Sequence, residues 1–366
     1  MKNLLNLTSI AAAAMMSFTA VADAQTRDLR VAPAGPPAHP AHYMYEHFAE
    51  YLADVSGGSM SATILGPEVV ALPQMKDALQ TGLVDIGNYL PLYFSAGMDT
   101  TNISGAFSLV GRNPHVMALA MTEYVVTCAP CQQEFTDAGI VFLGAGSSDV
   151  YGLLTTSPVR TAEDLKGLRL RSGGAPFSRW AENFGATGVS MGVGATFEGI
   201  SQGTIDGTMA STVDLLSFRL IDVVKYVTVL PIGTYHVTSN FTVGGGTWAS
   251  LSTEEKAHVV AAAGRANFDL TDRWAYQLPA AAAAALEGSD IEVITPDASL
   301  LEASNAFIDA DTAANVEAGG AEAAAFVALV DKWTTIVAEV GEDPDALSER
   351  ANAEIWSKVD WSTYGG

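Results

Sequence analysis

Two stretches of this chain share one short arrangement, in which a helix ends at a glycine and a strand carrying an aspartate follows. The first copy spans 78–87 (ALQTGLVDIG) and the second spans 199–207 (GISQGTIDG). Strand-like and helix-like segments alternate around both copies, which is typical of a largely parallel sheet covered by helices on both faces. A match this short also arises by chance between unrelated βα turns. The pattern predicts an α/β fold with one such unit in each of two lobes.

Apolar spacing places the individual elements, because its period differs between helices and strands. Helices are predicted over 43–55, 72–80, 114–127, 176–184 and 196–202, and strands over 29–32, 60–65, 83–87, 140–143, 151–155 and 168–171. From residue 251 onward the chain reads as helical, with segments at 258–276, 279–286, 300–315, 321–340 and 349–361 and one strand at 291–294. The alanine-rich segment 279–286 is predicted to be a buried helix.

The length of the chain, 366 residues, exceeds that of most single domains, and 49% hydrophobic residues are enough for a sizeable core. We therefore expect two lobes, each built from two separate stretches of sequence. Lobe I is assigned to 25–149 and 238–277. Lobe II is assigned to 150–237 and 278–366, the latter including long connecting and carboxyl-terminal helices.

The amino terminus has the form of a secretory signal peptide. Lys2 precedes a mostly apolar stretch at 4–21, and the small-residue pattern at 22–24 (ADA) is followed by Gln25. An uncleaved membrane anchor is the alternative, but no positively charged stop-transfer flank follows the apolar stretch. We expect residues 1–24 to be removed and the mature protein to be soluble and periplasmic.

The charge balance restricts the partners of the protein. Eighteen Lys and Arg residues face 41 Asp and Glu residues, which gives a formal net charge of −23. Such a surface repels polyphosphates and anionic lipid headgroups, so nucleic-acid binding is not expected. An anionic ligand would have to be held by a local cation, which directs the search to a few arginines.

The two cysteines of the chain, Cys128 and Cys131, lie in the sequence CAPC. In a thioredoxin-like protein this spacing marks a redox site, but a strand should then precede it. Here the preceding segment reads as a helix, and an exported protein favours a plain structural disulfide. We expect a small disulfide staple.

Four segments resemble, in order, stretches of the solute receptors of TRAP transporters (tripartite ATP-independent periplasmic transporters). They are 164–171 (DLKGLRLR), 197–207 (FEGISQGTIDG), 224–227 (VKYV) and 247–252 (TWASLS), and the earlier stretch 79–85 fits the amino-terminal part of the same family. The resemblance implies two lobes joined by crossover strands and a long helix. It also implies a small organic anion held in the cleft, delivery to TRAP membrane permease subunits and ion-gradient-driven uptake.

The same resemblance implies that Arg171 pairs with the carboxylate of the ligand. A guanidinium is a planar fork that matches a carboxylate with two charge-assisted hydrogen bonds. Arg169 shares the same face of the predicted strand, since side chains two residues apart point the same way. The resemblance favours Arg171, and the alternative for it is an ordinary intramolecular salt bridge.

Positions at which the chain departs from the family pattern indicate the size and polarity of its ligand. Sialic-acid-binding members carry a second arginine upstream, where this chain has Tyr151, and polar residues after Asp-Gly, where this chain has Met209. With the nearby Phe177, these residues suggest a smaller or more apolar monocarboxylate, aromatic acids included. The alternative is that all three residues belong to the core.

Further candidate ligand contacts come from segments that this fold places near the cleft. Each has an alternative: a solvated or capping role for His39 (and His42), a turn for Asn88 and Tyr89, a hinge for Tyr235, and a surface charge for Glu68. Ser211 occupies in the second lobe the place that Asn88 and Tyr89 have in the first.

No motif of an enzyme or of a cofactor site stands out, so no cofactor is predicted. The glycine run at 244–246 lacks Walker spacing and Rossmann context. A monomeric receptor is the favoured prediction. The alternatives are a dimeric receptor of the same family that binds a 2-oxo acid with a cation, and an exported enzyme acting on small organic acids.

Overall fold

The computed structural model of the protein describes residues 26–33 and 35–366, so the predicted signal peptide at 1–24 lies outside the described residues. The strands are β1 Arg27–Ala32, β2 Met60–Ile64, β3 Ile86–Tyr89, β4 Ile140–Phe142, β5 Gly152–Thr155, β6 Arg169–Ser172, β7 Thr187–Ser190, β8 Gly207–Ala210, β9 Tyr226–Thr228, β10 Ser239–Gly244 and β11 Glu292–Ile294. The helices are α1 Pro40–Val55, α2 Met75–Gln80, α3 Thr101–Ala106, α4 Pro114–Thr127, α5 Ala129–Asp137, α6 Ala175–Asn183, α7 Thr196–Ser201, α8 Asp214–Ser217, α9 Gly245–Ser250, α10 Thr253–Asp272, α11 Leu278–Glu287, α12 Ala298–Val340 and α13 Pro344–Glu354.

The strands form two mixed sheets, one in each lobe, which confirms the predicted two-lobed α/β fold. The first sheet has the order β2-β1-β3-β10-β4 and the second has the order β11-β9-β5-β8-β6-β7. In the first sheet β10 runs antiparallel to both of its neighbours, and in the second β5 does the same. Each of these two strands directly follows a segment in which the chain passes from one lobe to the other. Each sheet therefore contains one antiparallel strand that the chain enters from the opposite lobe.

The two crossover segments, 143–151 and 228–239, lie side by side between the lobes. The Ser148 amide donates to the Tyr235 carbonyl at 3.0 Å, and the Tyr151 amide donates to the Gly233 carbonyl at 2.8 Å. This pairing forms a two-stranded link between the lobes, and helix α12 spans both lobes as well. Relative movement of the lobes would have to bend at these segments.

The repeat seen in the sequence has a common structural basis. The Asp85 carboxylate accepts hydrogen bonds from Arg30 N (2.8 Å), Nε (2.9 Å) and Nη2 (3.2 Å). The Asp206 carboxylate accepts the equivalent bonds from Arg169 N (2.8 Å), Nε (3.0 Å) and Nη2 (2.8 Å). Each aspartate thus fixes the start of one strand to its parallel neighbour, and the two copies mark equivalent points of similar units.

Local sequence signals set several helix starts. Ser252 Oγ accepts a hydrogen bond from Glu255 N at 3.2 Å while the Glu255 carboxylate accepts one from Ser252 N at 2.7 Å, so α10 begins with a capping box. Asn113 caps α4, and Pro114 follows at the first helical position, where a missing N–H costs nothing.

Helix α12 spans 43 residues and contacts α3 and α4 of the first lobe and α6 of the second. The predicted segments 300–315 and 321–340 are parts of this one helix, which kinks at Gly320 with φ 57° and ψ −128°. Only glycine adopts such a φ without strain. No helix within residues 26–33 and 35–366 has both the length and the apolarity to cross a membrane.

The carboxyl-terminal helix lies with the first lobe, not with the second as the assignment of 278–366 had it. Helix α13 packs on α10, and Leu347, Ala351 and Trp356 belong to the first lobe's hydrophobic core. The physical reason is that α12 runs back across both lobes, so that the apolar face of α13 meets the first lobe. Residues after 341 are therefore part of lobe I.

The alanine-rich helix α11 is exposed, which corrects the prediction of a buried helix over 279–286. Only Ala282 of its ten residues is buried. Alanine has a high helix propensity and little apolar area, so it tolerates a solvent-facing helix. The composition of this segment indicated the helix but not its burial.

Cys128 and Cys131 form a disulfide at the start of α5. Because the bonded cysteines are only three residues apart, we expect the double substitution Cys128→Ser, Cys131→Ser to lower the free energy of unfolding by about 2 kcal/mol at most. Urea denaturation of both proteins measures the difference. A loss above about 4 kcal/mol would contradict a purely local constraint.

Candidate ligand site between the lobes

A cavity of about 50 Å³ lies between the two sheets, where loops of both lobes meet the crossover segments. Its wall includes His39, Asn88 and Tyr93 from the first lobe, Tyr151 and Asp214 from the second, and Tyr235 from a crossover.

The sheet topology explains why these side chains converge. Strands β1 and β3 run parallel, and so do β6 and β8, so in each lobe the segments that follow two strands leave from one edge. His39 follows β1 and Tyr93 follows β3, whereas Arg171 lies near the end of β6 and Asp214 follows β8. The cavity therefore lies outside the carboxyl ends of these strands.

The guanidinium of Arg171 is buried beside this cavity, with the side chain only 1% exposed. Its Nε donates to the Met191 carbonyl at 3.1 Å, and its Nη2 donates to the Tyr93 hydroxyl. Within the described part of the chain it forms no ion pair with a carboxylate. Arg169 does, since its Nη2 lies 2.8 Å from Asp206. The intramolecular salt bridge considered for Arg171 is therefore found at Arg169.

The hydrogen bond between Arg171 and Tyr93 crosses the cleft. Tyr93 belongs to the 3₁₀ turn Pro91–Tyr93 of the first lobe, whereas Arg171 belongs to β6 of the second. The Val193 backbone of the second lobe also lies beside Tyr93. Tyr93, which lines the cavity, thus joins the lobes through its contact with the guanidinium.

Three tyrosines surround this point, and we call Tyr93, Tyr151 and Tyr235 the tyrosine cluster. The ring centroids of Tyr93 and Tyr235 lie 6.0 Å apart, and those of Tyr151 and Tyr235 lie 6.3 Å apart. Burial raises the pKa of all three hydroxyls, so they remain protonated hydrogen-bond donors. The Tyr235 hydroxyl is buried and has no hydrogen-bond partner among the described residues. An oxygen of a bound acid would supply one.

The carboxyl group of Asp214 lies near the guanidinium, and that of Asp149 lies near Asp214. Burial raises the pKa of Asp214 to about 7, against the opposing charge of Arg171 and a hydrogen bond from Ser217. Burial also raises the pKa of Asp149 to about 7, and the charge of Asp214 adds to this effect. Asp214 lines the cavity, whereas Asp149 lies behind it on the crossover.

Another part of the cavity is formed by the rings of His39, Phe218 and Trp274, which we call the aromatic wall. The His39 ring lies 4.9 Å from that of Trp274 and 5.4 Å from that of Phe218. His39 Nδ1 accepts the Ala41 amide at 3.1 Å, and burial lowers the histidine pKa to about 4. The ring is therefore neutral and carries its proton on Nε2.

Amide groups line a further side. Asn240 Nδ2 donates to Asn267 Oδ1 at 2.9 Å, and Asn267 Nδ2 donates to the Leu143 carbonyl at 3.1 Å. These bonds fix the Asn240 side chain beside Asn88. For metals, no group of three His, Cys, Asp or Glu side chains in the described ranges is arranged to hold an ion.

Four of the residues singled out in the sequence meet at this cavity. His39, Asn88, Tyr151 and Tyr235 line it, although they come from four separate segments of the chain. Arg171 contacts the tyrosine cluster directly behind them.

Other candidate residues do not line the cavity. Phe177 and Met209 lie in the core of the second lobe, where the Phe177 ring packs 5.3 Å from that of Tyr151. Tyr89 lies in the core of the first lobe and stacks on Phe94 at 4.9 Å. Phe177 and Met209 thus match the core alternative considered for them, whereas Tyr89, for which a turn was the alternative, ends strand β3 with its side chain in the core.

Ser211 and Glu68 also lie apart from the cavity wall. Ser211 Oγ accepts the Val213 amide at 3.0 Å and so shapes the turn that leads into α8. Glu68 is exposed, as its surface alternative had it. His42 lies on α1 with its Nε2 3.7 Å from the Glu46 carboxylate.

Sequence reasoning missed Tyr93, Asp214, Phe218 and Trp274. A signal existed for Asp214, because a lone acidic residue between apolar neighbours (VDLL) after a strand end is unusual. Tyr93 follows the β3 strand end within a few residues and was detectable on the same topological ground. Trp274 lies in the π-helical turn Arg273–Gln277 at the end of α10, far from the strands in sequence, and no local pattern indicates it.

Comparison with protein families gives a match over most of the chain. The profile of the family described as "Bacterial extracellular solute-binding protein, family 7" matches residues 31–315. A solute-binding protein of Albidiferax ferrireducens is 25% identical over 201 residues, which cover 52% of this chain and 56% of that protein. The match thus spans little more than half the length of this curated relative.

Solved structures show the same fold. A TRAP periplasmic solute-binding protein of Bordetella bronchiseptica with bound (R)- and (S)-mandelate aligns with a TM-score of 0.74 at 23% identity, over 84% of this chain and 99% of that one. A TRAP solute-binding protein of Rhodoferax ferrireducens in complex with copurified benzoate aligns with a TM-score of 0.75 at 18% identity, over 85% and 100%.

Proposed function

The chain belongs to the bacterial extracellular solute-binding proteins of family 7, and on that premise we propose that it is the periplasmic receptor of a TRAP transporter for a small monocarboxylate with an apolar, ring-shaped body. The observation that carries this proposal is the buried guanidinium of Arg171, which has no carboxylate partner in an ion pair within the described chain and adjoins a cavity walled by aromatic rings.

The two ends of such a ligand match two parts of the cavity. Its carboxylate would bind Arg171 and accept hydrogen bonds from Tyr151 and Tyr235. Its ring would pack on the aromatic wall, where ring contacts add to the gain from burial. The benzoate and mandelate found in the two similar structures are acids of this shape, which supports the assignment.

Closure of the lobes would couple binding to transport. Tyr93 reaches Arg171 only when the first lobe approaches the second, and the paired crossover segments are the place where the lobes would hinge. The signal peptide at 1–24 would be removed on export to the periplasm. There the closed form would deliver the acid to the TRAP membrane permease subunits. We propose a monomer for this role.

A thermal-shift comparison of benzoate with benzamide tests the function. The two molecules share size and ring, but only benzoate has a charge for Arg171. We expect benzoate at 100 times its Kd to stabilise the protein by about 2.7 kcal/mol and to raise Tm by several degrees, whereas benzamide leaves Tm unchanged.

Recovery of the acid separates a receptor from an enzyme. After incubation, chromatography should return benzoate unchanged and in full. Equal Tm shifts with benzoate and benzamide would contradict recognition of the carboxylate. A new product that accumulates with time would instead support the alternative of an exported enzyme acting on small organic acids.

A further inference from the structure

We propose that Asp214 is a second recognition group of the cleft, and that the ligand carries near its carboxylate a hydroxyl or ammonium group that donates a hydrogen bond to Asp214. This inference rests on the proposed function, since it assumes that Arg171 binds the carboxylate. It narrows the ligand class from monocarboxylates in general to those with a hydrogen-bond donor close to the acid group.

The geometry of Asp214 supports a role in binding. The residue is 1% exposed, yet its side chain is part of the cavity wall. Ser217 Oγ donates to its Oδ1 at 3.1 Å, and its other oxygen has no hydrogen-bond partner within the described residues. Because the side chain lines the cavity, this oxygen is accessible to a ligand, and a donor there would offset the cost of burying the carboxylate.

The charges around Asp214 favour the same conclusion. The groups that interact with it electrostatically are Arg171 on β6, Tyr93 and Tyr151 on the cavity wall, and Asp149 on the crossover. Only Arg171 is a cation, because the tyrosines are neutral and Asp149 is acidic. His39, which shares the cavity, is neutral as well.

Above pH 7, where Asp214 is ionised, an acid without a donor would therefore place two carboxylates beside one guanidinium. In a buried site this repulsion is only weakly screened. A hydroxyl or ammonium group on the ligand would turn the contact with Asp214 from repulsive to attractive. The site would therefore bind acids that carry such a donor more tightly than acids that lack one.

Calorimetry at pH 8 with three related acids tests the inference. Phenylacetate has no donor, mandelate adds a hydroxyl, and phenylglycine adds an ammonium group on the same carbon. We expect mandelate or phenylglycine to bind the protein at least about 10-fold more tightly than phenylacetate, as one hydrogen bond to a charged group would produce. The donor that gives the advantage identifies the ligand class.

The substitution Asp214→Asn should reduce this ratio to within about two-fold, because the neutral amide neither repels the carboxylate nor accepts a charge-assisted bond. The exposed Asp290 offers a matched control, and Asp290→Asn should preserve the ratio of the unmodified protein.

Two results would overturn the inference: phenylacetate binding as tightly as both donor-bearing acids, or a ratio that survives Asp214→Asn. In either case binding of phenylacetate would leave the proposed carboxylate receptor intact. Absence of binding by all three acids would count against the proposed function as well, so the two failures are distinguishable.

Discussion

Substitution of Arg171 by methionine is expected to weaken the binding of benzoate about 100-fold while leaving the protein folded. Two charge-assisted hydrogen bonds to a carboxylate would be lost, and together they correspond to roughly 3 kcal/mol. Stability should change little near neutral pH, because Arg171 forms no direct ion pair and Asp214, whose charge it opposes, can take up a proton when the guanidinium is removed. Isothermal titration calorimetry and a thermal melt of the same preparation measure both quantities.

Arg169→Met is the matched control on the same strand. Its guanidinium is bound to Asp206 outside the cavity, so this variant should keep its affinity for benzoate and lose some stability. Loss of affinity in Arg171→Met and loss of stability in Arg169→Met would show that the first arginine binds the ligand and the second anchors the strand. Full affinity in the Arg171→Met protein would refute the assignment of the carboxylate to this side chain.

The contrast between these two arginines shows what sequence reasoning reached. Alternation along the strand placed both on one face, and the resemblance to a known family selected Arg171. The structure adds the reason, which is position along the strand. Arg169 stands at the start of β6, where Asp206 meets it, whereas Arg171 stands near the end, where the cleft begins.

Two candidate residues, Met209 and Phe177, lie away from the cavity for the same reason. Met209 was selected because it follows the Asp-Gly motif and Phe177 because it is near in sequence, yet the cavity lies beyond the strand ends and not on the faces of the sheets. Those faces are covered by helices, so side chains on them enter the core. Trp274 reaches the cavity only through the packing of a distant segment, which no local pattern indicates, whereas Tyr93 follows the end of β3 and was overlooked.

The free energy of unfolding should depend on pH through Asp214, and comparison with the Asp214→Asn variant should isolate this dependence. We expect the free energy of unfolding of the variant, minus that of the unmodified protein, to increase by about 3 kcal/mol between pH 5 and pH 8. Chemical denaturation at several pH values gives this difference directly. Asp290→Asn, at an exposed position, should show no such trend.

The sign follows from the direction of the pKa shift. Burial raises the pKa of Asp214 from 3.8 to about 7, so between these values the folded protein holds a proton that the unfolded chain releases. The stabilising contribution of this proton is largest at low pH and is lost as the pH rises through 7. Asparagine has no proton to lose, so its contribution stays constant while that of the aspartate declines.

The difference between variants is needed because other buried groups act in the opposite sense. Burial lowers the pKa of three histidines to about 4, namely His39, His115 and His236. Each of these histidines makes the folded state less stable at pH 5 than at pH 8, since at pH 5 the histidine binds a proton in the unfolded chain but not in the folded protein. Their effect is common to both proteins and cancels in the subtraction, whereas that of Asp214 does not. A difference that stays flat from pH 5 to pH 8 would mean that Asp214 is ionised throughout this range in the folded protein.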